Sequence, residues 1–466
     1  MLANMIPMQI PGLAVGRNQP FILCLEDFKY YGTDIFTIVS AWPRSKVHFN
    51  IANAAIIKEM TTSRAKWVKP VEQYTMVLQF GRNIVATEGR DEWKKHRKIA
   101  NPAFSEPNNK MVWDEAVRIT IDMTDNVWKN EAEVTTENAV DITLSLALLI
   151  IGSAGFGRKI SFEEDLKIPP GHTMSFKDAL HVVSTDMILN VLIPKWAMSL
   201  SKRLRTLYMQ EMIDDRRNAE KKPERDDLFS SLLDANMEEA EGAEARLEDS
   251  ELIGTALSPC RPNFSELTIY RIIYAGNIFI FLLAGHETTA HTLCFTLGLL
   301  ALYPDQQEIL YDNITSVLPD KRLPVVAIPK KSAEDSTLVT TTVTGEKIVL
   351  PVPKGAGITL HTPGLHYNPR YWKDPYEFKP QRFCEDWPRD AFLPFSGGAR
   401  SCIGRRFSET EATAILAILI ARYRVETRNE PQFASETFEQ RRERLLKVKA
   451  GITTTPVGVP LVFKRR

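Results

Sequence analysis

Cys402 follows Phe395-Ser396-Gly397-Gly398-Ala399-Arg400-Ser401 and precedes Ile403-Gly404, a setting that suits a thiolate metal ligand. Such a ligand needs a lowered pKa and donors aimed at sulfur, and the backbone amides just after the cysteine can supply them. A helix reads on from Ile403 and Gly404 through Phe407-Ser408-Glu409-Thr410-Glu411-Ala412 to Ala421. Its positive N-terminal end would stabilise negative charge on the sulfur. Gly397 and Gly398 permit a tight turn and close backbone approach, and Arg400 is placed to hold an anion. The competing reading is a buried core cysteine, the usual fate of a lone one.

The stretch 395–404 fills all five fixed positions of F-x-x-G-x-R-x-C-x-G and resembles the haem-thiolate loop of the cytochromes P450. The resemblance implies haem b (iron protoporphyrin IX), Cys402 as iron ligand, Phe395, Gly398 and Gly404 at the cofactor, and Arg400 on a propionate. Upstream, Phe279-Ile280-Phe281-Leu282-Leu283-Ala284-Gly285-His286-Glu287-Thr288-Thr289-Ala290 resembles the A-G-x-D/E-T segment of the family's long distal helix. By that resemblance Ala284 and Gly285 border the cofactor, Thr288 holds the hydrogen bond to bound dioxygen and Glu287 relays protons. The residues alone also allow an ordinary buried helix whose threonine bonds back to its own backbone.

Trp93 and Arg97 lie one helical turn apart in Trp93-Lys94-Lys95-His96-Arg97, which places an indole N–H and a guanidinium on one face. In the family this pair holds a propionate. Asn101-Pro102-Ala103-Phe104 reads as the end of that helix. Lys94, Lys95, Lys98, Arg405 and Arg406 form either a basic proximal face for an electron-donating flavoprotein or a solvated helix face. His286 and His291 invite a zincin reading, but i and i+5 point to different faces of a helix where metal binding needs i and i+4.

Lysine plus arginine and aspartate plus glutamate number 58 each, a balance that argues against nucleic acid as a partner. Cys24, Cys260, Cys294, Cys384 and Cys402 form no disulfide framework and suit a reducing setting. With no linker rich in Gly, Ser or Pro, residues 1–466 read as one domain, mainly α with a small β region: the P450 fold, with haem between the distal long helix and the cysteine loop. Helical patterns cover Lys110–Trp128, Phe176–Leu192, Leu200–Lys222, Leu228–Asn236, Ile278–Leu302 and Arg405–Arg422. Strands are expected at 36–39, 46–49, 338–340, 348–350 and 357–360, and an acidic surface connection at 237–249. Leu144–Ile151 and Ile272–Ala284 read as core helices, too short or too polar in context to span a bilayer. Family members of the endoplasmic-reticulum type begin with an apolar anchor of about 20 residues, for which Met1–Pro7 is too short.

Two departures from the family stand out. Its E-x-x-R helix, which pairs with the arginine of a later motif, here Pro380-Gln381-Arg382-Phe383, has no match between Thr288 and Phe395. Glu115/Arg118 and Glu439/Arg442 fit the spacing elsewhere and read as coincidences of composition. About 25 residues, a family-length estimate, are missing at the Pro324/Val325 join. Conversely, residues 255–276 interrupt a helical pattern running from Glu251-Leu252-Ile253-Gly254 into Asn277-Ile278. A gene model with one retained intron and one skipped exon accounts for both; a true insertion and deletion is the rival. Burying Arg382 without a carboxylate costs on the order of 3–5 kcal/mol, so this residue is expected to be solvent-exposed or to borrow another acid, and the chain to fold poorly or hold haem weakly.

The resemblance implies monooxygenation of an apolar small molecule with O2 and electrons from NADPH through NADPH-cytochrome P450 reductase, with cytochrome b5 as an additional donor, at the cytosolic face of the endoplasmic reticulum membrane in a fungal setting. Substrate contacts are expected from residues 65–86, Phe281–Thr288, Val325–Pro329 and Gly451–Thr455. The alternatives are a P450-fold isomerase or dehydratase working without O2, against which Glu287 and Thr288 argue, and a non-catalytic or misfolded haem-binding product.

Overall fold

The computed structural model describes residues 26–40, 45–74, 77, 83–87, 90–157, 161–162, 276–314, 328–450 and 453–466. The helices expected at 176–192, 200–222 and 228–236, the acidic connection, residues 255–275 and the 324/325 join lie outside them.

Within the described residues, helices α1 (Glu26–Tyr31), α2 (Ala54–Thr62), α3 (Arg90–Ala100), α4 (Glu106–Asp122), α5 (Ala139–Ile150), α6 (Gly276–Leu302), α7 (Pro304–Ile314), α8 (Thr362–His366), α9 (Arg405–Arg422) and α10 (Phe438–Leu445) form the larger part. Gly276–Leu302 is apolar on nearly every side, so it is stable only when covered all round. It runs as one 27-residue helix through the main core, with α5 packed along it and α9 along α4. Helix α4 starts earlier than its apolar period implied, because Ser105 accepts from the Asn108 amide and a proline occupies the first turn. Asn138 caps α5 in the same way through the Val140 amide.

The strands are β1 (Ile35–Ser40), β2 (Lys46–Ile51), β3 (Trp67–Val68), β4 (Glu133–Thr136), β5 (Ile328–Ser332), β6 (Ser336–Thr341), β7 (Lys347–Val352), β8 (Gly357–Leu360), β9 (Tyr423–Thr427), β10 (Val448–Ala450), β11 (Thr454–Pro456) and β12 (Leu461–Arg465). The largest sheet has the order β1-β2-β8-β5-β3, with β2 and β8 parallel and the other pairs antiparallel. Its inward residues Ile35, Phe49, Ile51, Ile358 and Leu360 join Ile57, Met60 and Trp67 in a second core. A three-stranded sheet, β4-β12-β9, closes the other side and brings Phe463 and Tyr423 against Trp128.

Arg382 meets the first of the two outcomes expected for it. It lies at the surface, where Nε donates to Lys379 O (3.1 Å), Nη1 to Lys373 O (2.8 Å), and Nη2 to Asp374 O and Glu377 O (both 3.1 Å). Four carbonyl dipoles take the place of a carboxylate, so the penalty of an unpaired buried arginine does not arise. Glu115 and Arg118, outside the span where the family's E-x-x-R helix lies, form a local pair. Glu115 Oε2 accepts from Arg118 Nη2 at 2.7 Å and from Ser153 Oγ at 2.5 Å, tying α4 to the π-turn Ile151–Gly155 that ends α5.

Candidate active site

The cysteine loop is fixed by its own backbone and by α2. The Cys402 amide donates to Phe395 O at 2.9 Å and the Ser401 amide to Gly398 O at 3.1 Å. Gly398 holds φ +68°, and a Cβ there would lie 2.2 Å from the Thr61 carbonyl oxygen, so only glycine lets the loop approach α2 this closely. Cys402 is exposed in this loop. Burial raises the thiol pKa; the Gly404 N–H, which donates to the sulfur, and the Arg97 and Arg405 guanidiniums pull it back down. Arg97 Nη1 also donates to Ser401 O at 3.1 Å.

Around Trp93 lies a cluster of cations. The Arg64 and Arg400 guanidiniums sit 5.0 and 5.1 Å from its ring centroid, and Arg400 Nη2 donates to Thr87 O. Lys330 is buried on β5; burial, then Arg400 and Arg64, lower its pKa to about 8. Lys69 rests 4.0 Å over the Tyr74 ring, and burial, then Arg400 and Lys330, lower it to about 7. Among the described residues Arg64, Lys69 and Lys330 make no ion pair. Cations packed this closely repel one another and suit a multiply charged anion.

On α6 an accessible strip opens in an otherwise covered helix: Ala284 is exposed, and Glu287 and Thr288, three and four residues on, are partly so. Burial raises the Glu287 carboxyl to about 7, and its Oε2 has no hydrogen-bond partner. Thr288 Oγ1 donates to Ala284 O at 2.6 Å, the back-bonded arrangement the residues allowed. Gly285 faces away from this strip toward the π-turn that ends α5, where a Cβ would meet Ile151 Cδ1 at 2.3 Å. His286 Nδ1 binds Leu282 O and His291 Nδ1 binds Thr453 Oγ1. Phe104 bridges the two halves of the site: its ring packs on Phe281 of α6, and one ring carbon lies 3.6 Å from where a Gly404 Cβ would stand.

A family model described as Cytochrome P450 matches residues 6–343 and 336–450. The chain belongs to the cytochrome P450 family. It is 50% identical to cytochrome P450 monooxygenase 124 of the fungus Postia placenta, over 98% of this chain and 90% of the relative. It is 25% identical to secologanin synthase 2 of Catharanthus roseus (94% and 86%) and 27% identical to echinocystic acid 23-monooxygenase of Saponaria officinalis (100% and 88%).

The cofactor of cytochromes P450 is haem b, and the residues present fit it. An accessible thiol with an amide donor suits an iron ligand, and the cation cluster suits two propionates. The sequence-derived set is brought together in part. Trp93, Arg97, Arg400, Cys402 and Gly404 share one side, with Arg405 stacked on Phe395 at 5.5 Å. Arg97 reaches the cysteine loop, whereas Trp93 is covered by the other two arginines. Sequence reasoning missed Arg64, Lys69 and Lys330. The only signal for Lys330 was its place in a strand of alternating burial, where position 330 points inward. On the basic face Lys94, Lys98, Arg405 and Arg406 are exposed, but Glu409 pairs with Arg405 at 2.9 Å and Glu106 with Arg406 at 3.6 Å.

Proposed function

We propose that this P450 inserts one oxygen atom of O2 into an apolar small molecule, with electrons from NADPH delivered by NADPH-cytochrome P450 reductase and cytochrome b5 as a second donor. The observation that carries the reading is Cys402, exposed in its loop with the Gly404 amide and Arg97 close to its sulfur, together with the cluster of cations around Trp93. When bound, the haem supplies the redox-active iron at which oxygen is activated. Cys402 would ligate it, Arg400, Arg64, Lys69, Lys330 and Trp93 would receive its propionates, and Phe395, Gly398, Gly404 and Ala284 would shape its cleft, while Gly285 serves the packing against Ile151. Phe281 and Phe104 keep water from the α6 side. Glu287, neutral or charged near pH 7, can pass a proton at its Oε2, and the Thr288 hydroxyl can leave Ala284 O to order the route.

The same reading places the protein on the cytosolic face of the endoplasmic reticulum membrane. No described helix is long and apolar enough to cross a membrane. It also takes residues 1–466 as one domain with an intron-derived 255–276 and about 25 residues lost at 324/325. In support, the alignment to the Postia placenta relative extends over 493 positions, more than the 466 of this chain. A cDNA that still encodes 255–276 and joins Pro324 to Val325 would overturn the gene-model part.

The central test is the carbon monoxide difference spectrum of the reduced, haem-loaded protein. A red-shifted thiolate band is expected, and Cys402→Ala should abolish it; an unchanged band in the variant would assign the ligand elsewhere.

A further inference from the structure

Glu411 on α9 is fully buried, and neither of its carboxyl oxygens has a partner in hydrogen-bond geometry. Burial drives its pKa well above the carboxylate range, and the one group pulling it down is the nearby Thr289 hydroxyl. Thr289, also buried, pairs through Oγ1 with Ser408 Oγ at 3.0 Å. Ser408 and Glu411 are three residues apart on one face of α9, and Thr289 follows Thr288 on α6. Three polar side chains therefore meet where α6 packs on α9. An ionised carboxylate without a cation cannot be sustained there, whereas a neutral acid brings an O–H donor that two hydroxyls can use.

We propose that Glu411, carried as the neutral acid, is a positioning residue: its carboxyl joins the Thr289–Ser408 pair and locks the 287–289 turn of α6 to α9, the helix that starts beside Cys402. Its functional consequence rests on the proposed function, because the locked turn carries Glu287 and Thr288, and small displacements of such groups are costly. A side chain that merely filled space would be replaceable by leucine without effect on that turn.

Infrared difference spectra between the wild type and Glu411→Gln should contain the carbonyl stretch of a protonated carboxyl group at neutral pH. Glu411→Leu and, separately, Thr289→Val should keep the thiolate carbon monoxide band yet raise peroxide released per NADPH by roughly tenfold. Glu411→Gln, which retains a donor, should stay near wild type. The double variant Thr289→Val/Glu411→Leu should be no worse than the worse single one, in leakage and in urea midpoint, as expected of groups acting as a unit. An absent carboxyl band, additive effects, or a Leu variant with an intact thiolate band and no added leakage would overturn the proposal. Should Glu411→Leu fail to fold, Thr289→Val carries the leakage readout and the Gln variant the infrared one. A wild type without a thiolate band would sink the proposed function instead, while the infrared band and Thr289→Val/Glu411→Gln urea midpoints would still decide the locking.

Discussion

The loop at 395–404 is held by contacts at almost every step: Cys402 N–H on Phe395 O, Ser401 N–H on Gly398 O, Arg97 on Ser401 O, and Gly398 against the Thr61 carbonyl. The accessible face of α6 from Ala284 to Thr288 is built the other way. It keeps an accessible strip, a buried carboxyl oxygen of Glu287 without a hydrogen-bond partner and a Thr288 hydroxyl bonded to its own helix. Backbone contacts cost little to keep and set one position, which suits a ligand atom. Unsatisfied polar groups inside a core are costly, and folds retain them where something must exchange protons or partners.

Substitutions that damage the fixed side should act on stability. Gly398→Ala places a Cβ against a backbone oxygen at a left-handed φ, and about 3–5 kcal/mol of stability should be lost, read as a lower urea midpoint. If that midpoint is unchanged, the loop is not fixed as described.

On the adaptable side the first effect is pH dependence. Below its ordinary value of 4.5, Glu287 is protonated whether the chain is folded or not; as pH rises through about 7 the folded state must hold its proton or bury a charge. Its contribution is therefore full below 4.5 and lost towards 7, on the order of 3 kcal/mol at most. Glu287→Gln should flatten that part of the stability profile, measured as urea midpoints across the interval.

Thr288→Ala should act on chemistry with little change in folding: a several-fold rise in peroxide released per NADPH, with the thiolate band kept. Unchanged coupling would move the proton route to Thr289 or to water. The smallest effect should come from Gly285→Ala, which meets a methyl group able to rotate away and should cost about 1 kcal/mol. Adding Ile151→Val should recover most of it.

The sequence was legible wherever chemistry is written in a short run. The cysteine loop, the helix that follows it at its observed bounds, the long apolar helix and strand β8 could all be read from local pattern. Strands β4, β9 and β12 could not: they are short, and Leu461 pairs with Thr136 on one side and Thr427 on the other, across long loop closures that no local period records. Nor could the fate of Arg382, since backbone carbonyls are present at every residue and only the folded 373–379 turn points four of them at one guanidinium.

The sequence by itself determined the family, the thiolate candidate and the type of cofactor, because residue types at fixed spacing within one turn or one loop carry that information. The tertiary structure alone decided which cations gather around Trp93, that Gly285 serves the contact with Ile151, and that Glu411 meets Thr289. Those relations join residues far apart in the chain. Burial, which sets the protonation of Glu287, Lys69 and Lys330, exists only once the chain has closed around them.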